Sequence, residues 1–506
     1  MGPTYPQIVT DVHGALTAQA ELLDALLTPD PPPRRRGWPF VVLALVLVTA
    51  AAAGVLVVTR DRGPSGPPHP SKWDARVQKY VDFVEKERDL EFKHPVYVDF
   101  LSDAEFKDQV TADRDDLSDD DLKEIESFTG MFRALGLFEG DVDFFDSYND
   151  LQGKGIIGFY SYQDERLRIR GTEITPGVES TIVHELTHAV QDQNFDLGKR
   201  FEQLGKADDA NSSAASDGFH ALVEGDARRV ETMWRDHLSD PERAALDKER
   251  KASAKGFEHK SKDIPEVLKT LLGAPYDLGQ ALLTVAIRQG GDRAVDDLFR
   301  SPPKTEEQQL DPWTLIADHQ GFLSVPDPEL PAGEKTFEDG AFGSLGWLMV
   351  LAERIPVGQA LTAVDGWGGD ALAAYDRDGT SCVIIDYRGD TPEDLAQMQT
   401  ALQAWVAKGP KDSASVTKQD QTLVFESCDP GKDAPRVSSE RSTDALALAL
   451  GRTYLSLELV KGGMDVAVAR CGADRLVREF TMAELNNPKI DKGRVIRAIQ
   501  PCRQQA

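Results

Sequence analysis

The chain has 506 residues, with 85 acidic and 57 basic side chains and a formal net charge of −28 at pH 7. That length allows two or three domains and a large core, while the charge excludes nucleic acid as a partner, since phosphate contacts need a basic surface. Acidity spread along the chain is a solvated surface and does not by itself call for a cationic substrate.

Residues 1–38 form a polar head ending in Pro31-Pro32-Pro33-Arg34-Arg35-Arg36-Gly37-Trp38. An amphipathic helix over 7–27 fits the pattern, but the segment is too short for a domain and reads as a loosely structured cytoplasmic tail. Residues 39–59 then supply about twenty positions without a charge, enough to cross the hydrocarbon of a bilayer, so one transmembrane helix is predicted there. A core helix would show a polar face, and a cleaved signal peptide would have a shorter apolar run. Arg34, Arg35 and Arg36 flank one side and Arg60, Arg62 and Lys72 the other, so the positive-inside count is nearly balanced. The tight arginine cluster, Trp38 at the interface and the cysteines discussed below favour a cytoplasmic N-terminus. The chain is then a single-pass protein of the cell membrane with its large domain extracytoplasmic. Residues 60–72, rich in Pro and Gly, are a spacer lifting that domain off the lipid bilayer.

A first globular domain is predicted over 73–335. A helix is expected at 77–87, a strand at 96–101 and a helix with an acidic first turn at 117–135. Residues 155–162, a turn at Gln163-Asp164-Glu165-Arg166 and residues 167–170 read as a β-hairpin. Next comes Thr181-Ile182-Val183-His184-Glu185-Leu186-Thr187-His188-Ala189-Val190-Gln191-Asp192. Ile182, Leu186, Ala189 and Val190 would share the core-facing side of a helix, and His184 and His188, four residues apart, another face. Two imidazoles at that spacing can reach one Zn²⁺, and Glu185 beside the first can act on a water held by the metal. A strand edge near such a helix can pair with an extended peptide, which gives the hairpin a second reading besides sheet membership.

A catalytic zinc usually has three protein ligands and one open position. Glu224 sits in an apolar helix with Ala221, Leu222, Val223, Ala227, Val230, Met233 and Trp234, where an unpaired carboxylate would be costly. It is the first candidate for third ligand. His220, one turn earlier, and Asp226 are the rivals. His220 could otherwise donate from behind a ligand, and Asp226 could orient one of the imidazoles. Gly225 is a poor helix former, and a close approach of two helices would explain it. A tetrahedral oxyanion needs a second electrophile besides the metal. Tyr276, placed before a helix expected to start near Gly279, and His220 are the candidates.

His184-Glu185-Leu186-Thr187-His188 followed by Leu222-Val223-Glu224-Gly225-Asp226-Ala227 resembles the gluzincin pattern, in which a glutamate on a second helix completes the zinc site. Glu224-Gly225-Asp226-Ala227 is similar to the Glu-Gly-x-Ala signature of aminopeptidase N-like enzymes. The spacing from His188 to Glu224 is longer than in that group, with 196–216 as the apparent insertion. Val223 replaces their asparagine, and the Gly-Ala-Met-Glu-Asn motif is missing. A closer resemblance, over roughly residues 150–385, is to bacterial membrane-anchored metallopeptidase-like proteins of the Val-His-Glu-Leu-Thr-His-Ala-x-Gln-Asp type. It is carried further by Pro275-Tyr276-Asp277-Leu278-Gly279, by Gly290-Gly291-Asp292-Arg293-Ala294-Val295-Asp296, by Pro302-Pro303-Lys304-Thr305-Glu306-Glu307-Gln308 and by Trp367-Gly368-Gly369-Asp370. That family usually has His-Pro where this chain has Asp311-Pro312. The resemblance implies a peptidase architecture.

The C-terminal part reads as an α+β extension over 336–430 and an α+β module over 431–506. Helices are expected at 342–353, 391–406 and 444–459, a hairpin from 371–375 and 381–387, and strands at 421–427 and 466–469. The four cysteines, Cys382, Cys428, Cys471 and Cys502, allow three pairings; hairpin logic favours Cys382–Cys428 and Cys471–Cys502, against the reading as four buried thiols. Two disulfides would fit an oxidising compartment.

The expected fold class is therefore α+β: a mostly helical zincin-like domain with a small sheet, a C-terminal α+β module and one transmembrane helix. The expected activity is zinc-dependent hydrolysis of protein or peptide substrates, with Glu185 as general base, His184, His188 and Glu224 as metal ligands, and Tyr276 or His220 assisting. The rival from another class is a catalytically inactive, surface-anchored scaffold keeping the same fold, which Asp311 favours. A purely structural zinc would more often be closed by four Cys or His ligands.

Overall fold

Helix starts are set by short polar side chains that satisfy the first amide groups. In the computed structural model, which describes residues 68–505 apart from 205–209, 486 and 488, the first helix is α1 (Gln78–Arg88), followed by β1 (Tyr97–Leu101). Ser118 and Asp121 form a reciprocal capping box opening α2 (Asp119–Ala134). The predicted tail at 1–38 and transmembrane helix at 39–59 lie outside the described residues. Among the described residues no helix is long and apolar enough to cross a membrane.

The predicted hairpin is β2 (Gly158–Ser161) and β3 (Arg166–Arg170), paired antiparallel, with Glu165 in the left-handed region at the turn. β1 joins β3 in parallel, so the sheet order is β1-β3-β2 and β2 is an edge. α3 (Pro176–Phe195) lies against this sheet. Its Val178, Ile182, Val183, Leu186 and Val190 pack with Tyr80, Val81 and Val84 of α1 and with Leu167 and Ile169 of β3. Gly158 permits the close seating of β2 on α3, because a Cβ there would stand 2.7 Å from the Thr181 methyl.

Three further helices complete the frame: α4 (Ala210–His237), α5 (Asp240–Lys260) and α6 (Glu266–Gly290). The close approach expected at Gly225 is present, with α6 as the partner. A Cβ on Gly225 would fall 2.2 Å from the Gly279 carbonyl carbon, and one on Gly279 1.8 Å from the Ala221 carbonyl oxygen. Tyr276 does not precede a helix, as the sequence suggested; it lies inside α6, which runs through Pro275. An internal proline costs a helix about 3 kcal/mol. The long buried surface of α6, including Leu268, Leu271, Leu278, Leu282 and Val285, offsets that penalty.

The second sheet is antiparallel throughout, in the order β4-β5-β6-β8-β7. Its strands are β4 (Thr336–Gly340), β5 (Trp367–Arg377), β6 (Thr380–Gly389), β7 (Ala414–Gln419) and β8 (Thr422–Cys428). α7 (Gly343–Ala352) and α8 (Pro392–Lys408) lie between strands in sequence, and α8 opens on a Thr391–Asp394 capping box. Cys382 and Cys428 are directly opposite on β6 and β8 and form one disulfide; Cys471–Cys502 is the other. Beyond the sheet come α9 (Ser442–Lys461) and α10 (Val466–Glu479). The strand predicted at 466–469 is thus the first turn of α10. Asp465 caps it by accepting from the Ala467 amide, and Val468, Gly472, Leu476 and their neighbours bury a helical face. A four-residue apolar run is too short to separate strand from helix by period.

The two motifs from the 302–308 and 367–370 stretches meet at the start of α7. Asp370 accepts from the Phe342 and Gly343 amides and from the Trp347 and Trp367 indoles, while Glu306 accepts from the Leu345 amide. Asp217 of α4 is buried against Glu306. Burial first, then the nearby Glu306 carboxyl, pushes Asp217 well above the ordinary range, and burial with the charge of Asp370 pushes Glu306 up to about 8. A carboxyl raised on folding holds its proton longer folded than unfolded. Stability is therefore lost as pH rises from the ordinary value of 4.5 towards the raised folded value. Thermal melts of the wild type and Glu306→Gln between pH 5 and 8.5 should diverge, the wild type falling relative to the variant by at most about 1.4 kcal/mol per pH unit per proton. Parallel curves would contradict the assignment.

Candidate metal centre

The site begins with the start of α3. Thr175 accepts from the Val178 amide and Pro176 occupies the first turn, where its missing N–H costs nothing. Two turns on, His184 and His188 leave the same side of the helix. Their Nε2 atoms are 3.0 Å apart, and Glu224 Oε2 from α4 lies 3.2 Å from the first and 3.3 Å from the second. Metal–ligand bonds of about 2.0–2.1 Å in tetrahedral geometry would separate donor atoms by about 3.3 Å. The triangle therefore has the size of three corners of a zinc tetrahedron. His188 and Glu224 are wholly buried and His184 nearly so; among the described residues this is the group of three whose donors could share one ion. Two nitrogens and one carboxylate oxygen suit zinc.

Without a metal, protons supply the positive charge. Burial works against the His184 imidazolium, but the carboxylates of Glu224 and Glu231 outweigh it and push the pKa up to about 10. Burial likewise raises Glu224, yet His188 first, then His184 and His220, hold it well below the usual carboxylate range. The three side chains thus favour positive charge between them.

Each imidazole is also held from behind. His188 Nδ1 lies 3.1 Å from Gln191 Oε1, and the Gln191 amide donates to Asp226 Oδ2 at 2.9 Å and to the Val223 carbonyl at 3.2 Å. Asp226 is thereby placed away from the donor triangle; it accepts from Arg88 at 2.7 Å and from Arg229. It acts on an imidazole only through Gln191, not directly as the sequence suggested. His184 Nδ1 faces Glu231 Oε2 at 3.6 Å. Sequence reasoning missed both Gln191 and Glu231. The available signal was their helical spacing, three residues after His188 and seven after Glu224, which places them on the faces of their ligands.

The remaining predicted residues divide into near and far. Glu185 is buried beside His184, and its Oε2 accepts from the Tyr160 amide on the outer side of β2 at 2.8 Å. His220 Nε2 lies 3.3 Å from Glu224 Oε1, so it contacts the ligand's other oxygen. The Tyr276 ring is 6.0 Å from the His184 ring. Asp311 belongs elsewhere: it accepts from the Trp313 amide as a helix cap and faces Arg470 of α10 at 4.0 Å.

Removing the amide behind His188 leaves all three donors in place but frees one ring. Gln191→Ala should bind zinc about 10–100-fold more weakly than the wild type in chelator competition. An unchanged affinity would show that packing alone orients His188.

A family model described as Domain of unknown function (DUF8575) matches residues 334–458, which span the five-stranded sheet and most of α9 and follow the metal-site helices in sequence. No curated protein and no solved structure matches the chain.

Proposed function

We propose that the protein is a membrane-anchored, extracytoplasmic zinc-dependent peptidase. The observation that carries this reading is the buried triangle of His184, His188 and Glu224 donors with Glu185 beside it. Zinc held by these three residues would supply a Lewis acid that polarises the scissile carbonyl and acidifies water. Glu185 takes the proton of the attacking water on its carboxylate and passes it to the leaving amine nitrogen. The Tyr160 amide fixes one oxygen of that carboxylate beside His184. An extended peptide would lie along the edge of β2, which brings its backbone beside Glu185.

Tyr276 is the better of the two candidates for the oxyanion. Its ring, carried by α6, lies 6.0 Å from that of His184, whereas His220 contacts the Oε1 of Glu224. The extracytoplasmic placement rests on the uncharged run at 39–59 and on the two disulfides. The inactive-scaffold reading drew its support from Asp311, whose capping and ion-pairing roles lie apart from the donor triangle.

The test is zinc content and casein cleavage of the detergent-solubilised chain beside Glu185→Gln. One zinc per chain in both, with cleavage reduced about 10²–10⁴-fold in the variant, is the expected result. Zinc without cleavage in the wild type would favour the scaffold. A wild type that binds no zinc would sink the metal reading altogether.

A further inference from the structure

His184 and His188 are supported by unlike groups. Behind His188 is the neutral amide of Gln191, but behind His184 is the carboxylate of Glu231, 97% buried by exposure of 3%. Glu231 Oε1 accepts from Ser180 Oγ at 2.8 Å, and Ser180 belongs to α3 one turn before His184. The Arg250 guanidinium bonds the same carboxylate oxygen and donates to Ser180 Oγ at 3.0 Å. Arg228 adds a longer contact of 3.4 Å to Oε2.

Arg250 comes from α5, a largely exposed helix that buries Leu246. Its neighbour Glu249 accepts from Thr175 Oγ1 at 2.6 Å and from the Gly177 amide at 3.0 Å, at the start of α3. Gly177 leaves the room for this, since a Cβ there would meet Glu249 Oε1 at 2.6 Å. Two adjacent residues of one outer helix therefore grip the metal helix at two places. Leu246 is the one residue of α5 that is fully buried, so polar contacts such as these carry much of its attachment.

We propose that Arg250 is an external clamp on the metal site, with Glu231 as the positioning residue through which it acts, and that its neighbour Glu249 braces the helix without orienting a ligand. Glu249 fixes the first turn of α3. Arg250 holds the Glu231 carboxylate at the Nδ1 side of His184, which turns Nε2 towards the donor triangle and strengthens it as a ligand. Without Arg250 the buried carboxylate would keep only Ser180, the longer Arg228 contact and the imidazole as partners. The clamp rests on the metal reading given above, but it concerns residues that touch no metal.

The experiment loads the full chain, Arg250→Met, Arg250→Lys, Glu231→Gln and Glu249→Ala with zinc or with Co²⁺ alone. Zinc affinity is read by chelator competition, the ligand field by the visible cobalt bands, and folding by circular dichroism and thermal midpoint. Arg250→Met and Glu231→Gln should bind zinc about 10–100-fold more weakly and shift the cobalt bands. Arg250→Lys should recover most of the affinity. Glu249→Ala should lower the thermal midpoint and leave the cobalt bands in place, separating a stability effect from positioning of the ligand. Folded Glu231→Gln with wild-type affinity and bands would overturn the proposal, even if Arg250→Met failed to fold. A wild type that takes up neither metal would overturn the metal reading itself.

Discussion

The contact on which the site depends is between two glycines. Gly225 of α4 and Gly279 of α6 bring the helices together backbone to backbone, and a Cβ on either would overlap main-chain atoms of the other. Such an approach cannot be relaxed by rotating a side chain, so it fixes the rotation and height of α4 relative to α6. Glu224, immediately before Gly225, is then turned away from α6 towards the two histidines of α3. Tyr276, one turn before Gly279, is carried to the His184 ring by the same contact. A helix pair spaced by ordinary side chains would stand 8–10 Å apart by the usual packing rules, roughly. The donor triangle could not close at 3.0–3.3 Å unless each helix around it were set this tightly.

Charge provides the second constraint. The chain is strongly acidic, yet the two carboxylates behind the imidazoles are each paired with an arginine. Asp226 is paired with Arg88 of α1, and Glu231 with Arg250 of α5. These pairs come from opposite sides of α3 and α4 and end on different imidazoles, one through Gln191 and one directly. Breaking a buried pair leaves a charge that costs several kcal/mol, roughly, while its presence adds little net stability over apolar packing. Their value is therefore in orientation. Glu224 is the exception, because its neighbours are imidazoles whose charge depends on bound protons.

Much of this was legible in the chain, and the division follows the range of each interaction. His184 and His188 were readable because their relation is one helical turn. Glu224 was readable because an acid in the middle of Ala221, Leu222, Val223 and Ala227 has to be compensated. Gly225 marked a close helix contact, but nothing local could name Gly279 as its partner. Pro275 suggested a helix boundary, and long-range burial of α6 overruled it. The strand expected at 466–469 failed for the opposite reason: the local pattern was too short, and Asp465 capping a helix was the stronger signal. The cysteine pairs were legible because Cys382 and Cys428 lie at ends of predicted strands. Glu231 and Arg250 were not, since an acid and an arginine nineteen residues apart carry no sign that they meet.

The region matched by the DUF8575 family model is joined to the metal helix at its other end. The early part of α4 packs near β4 and β5, and there Asp217 meets Glu306 while Asp370 gathers the amides at the start of α7. Asp217 precedes Glu224 by seven residues, two turns on the same face of one helix. The helix that carries Glu224 thus has a buried carboxyl with a raised pKa towards one end and arginine-paired acids towards the other. The donor triangle draws on α3 and α4 directly and on α1, α5 and α6 for its support. The His184–His188–Glu224 arrangement is consequently a property of the assembled fold, since no single segment contains all three donors together with the residues that hold them.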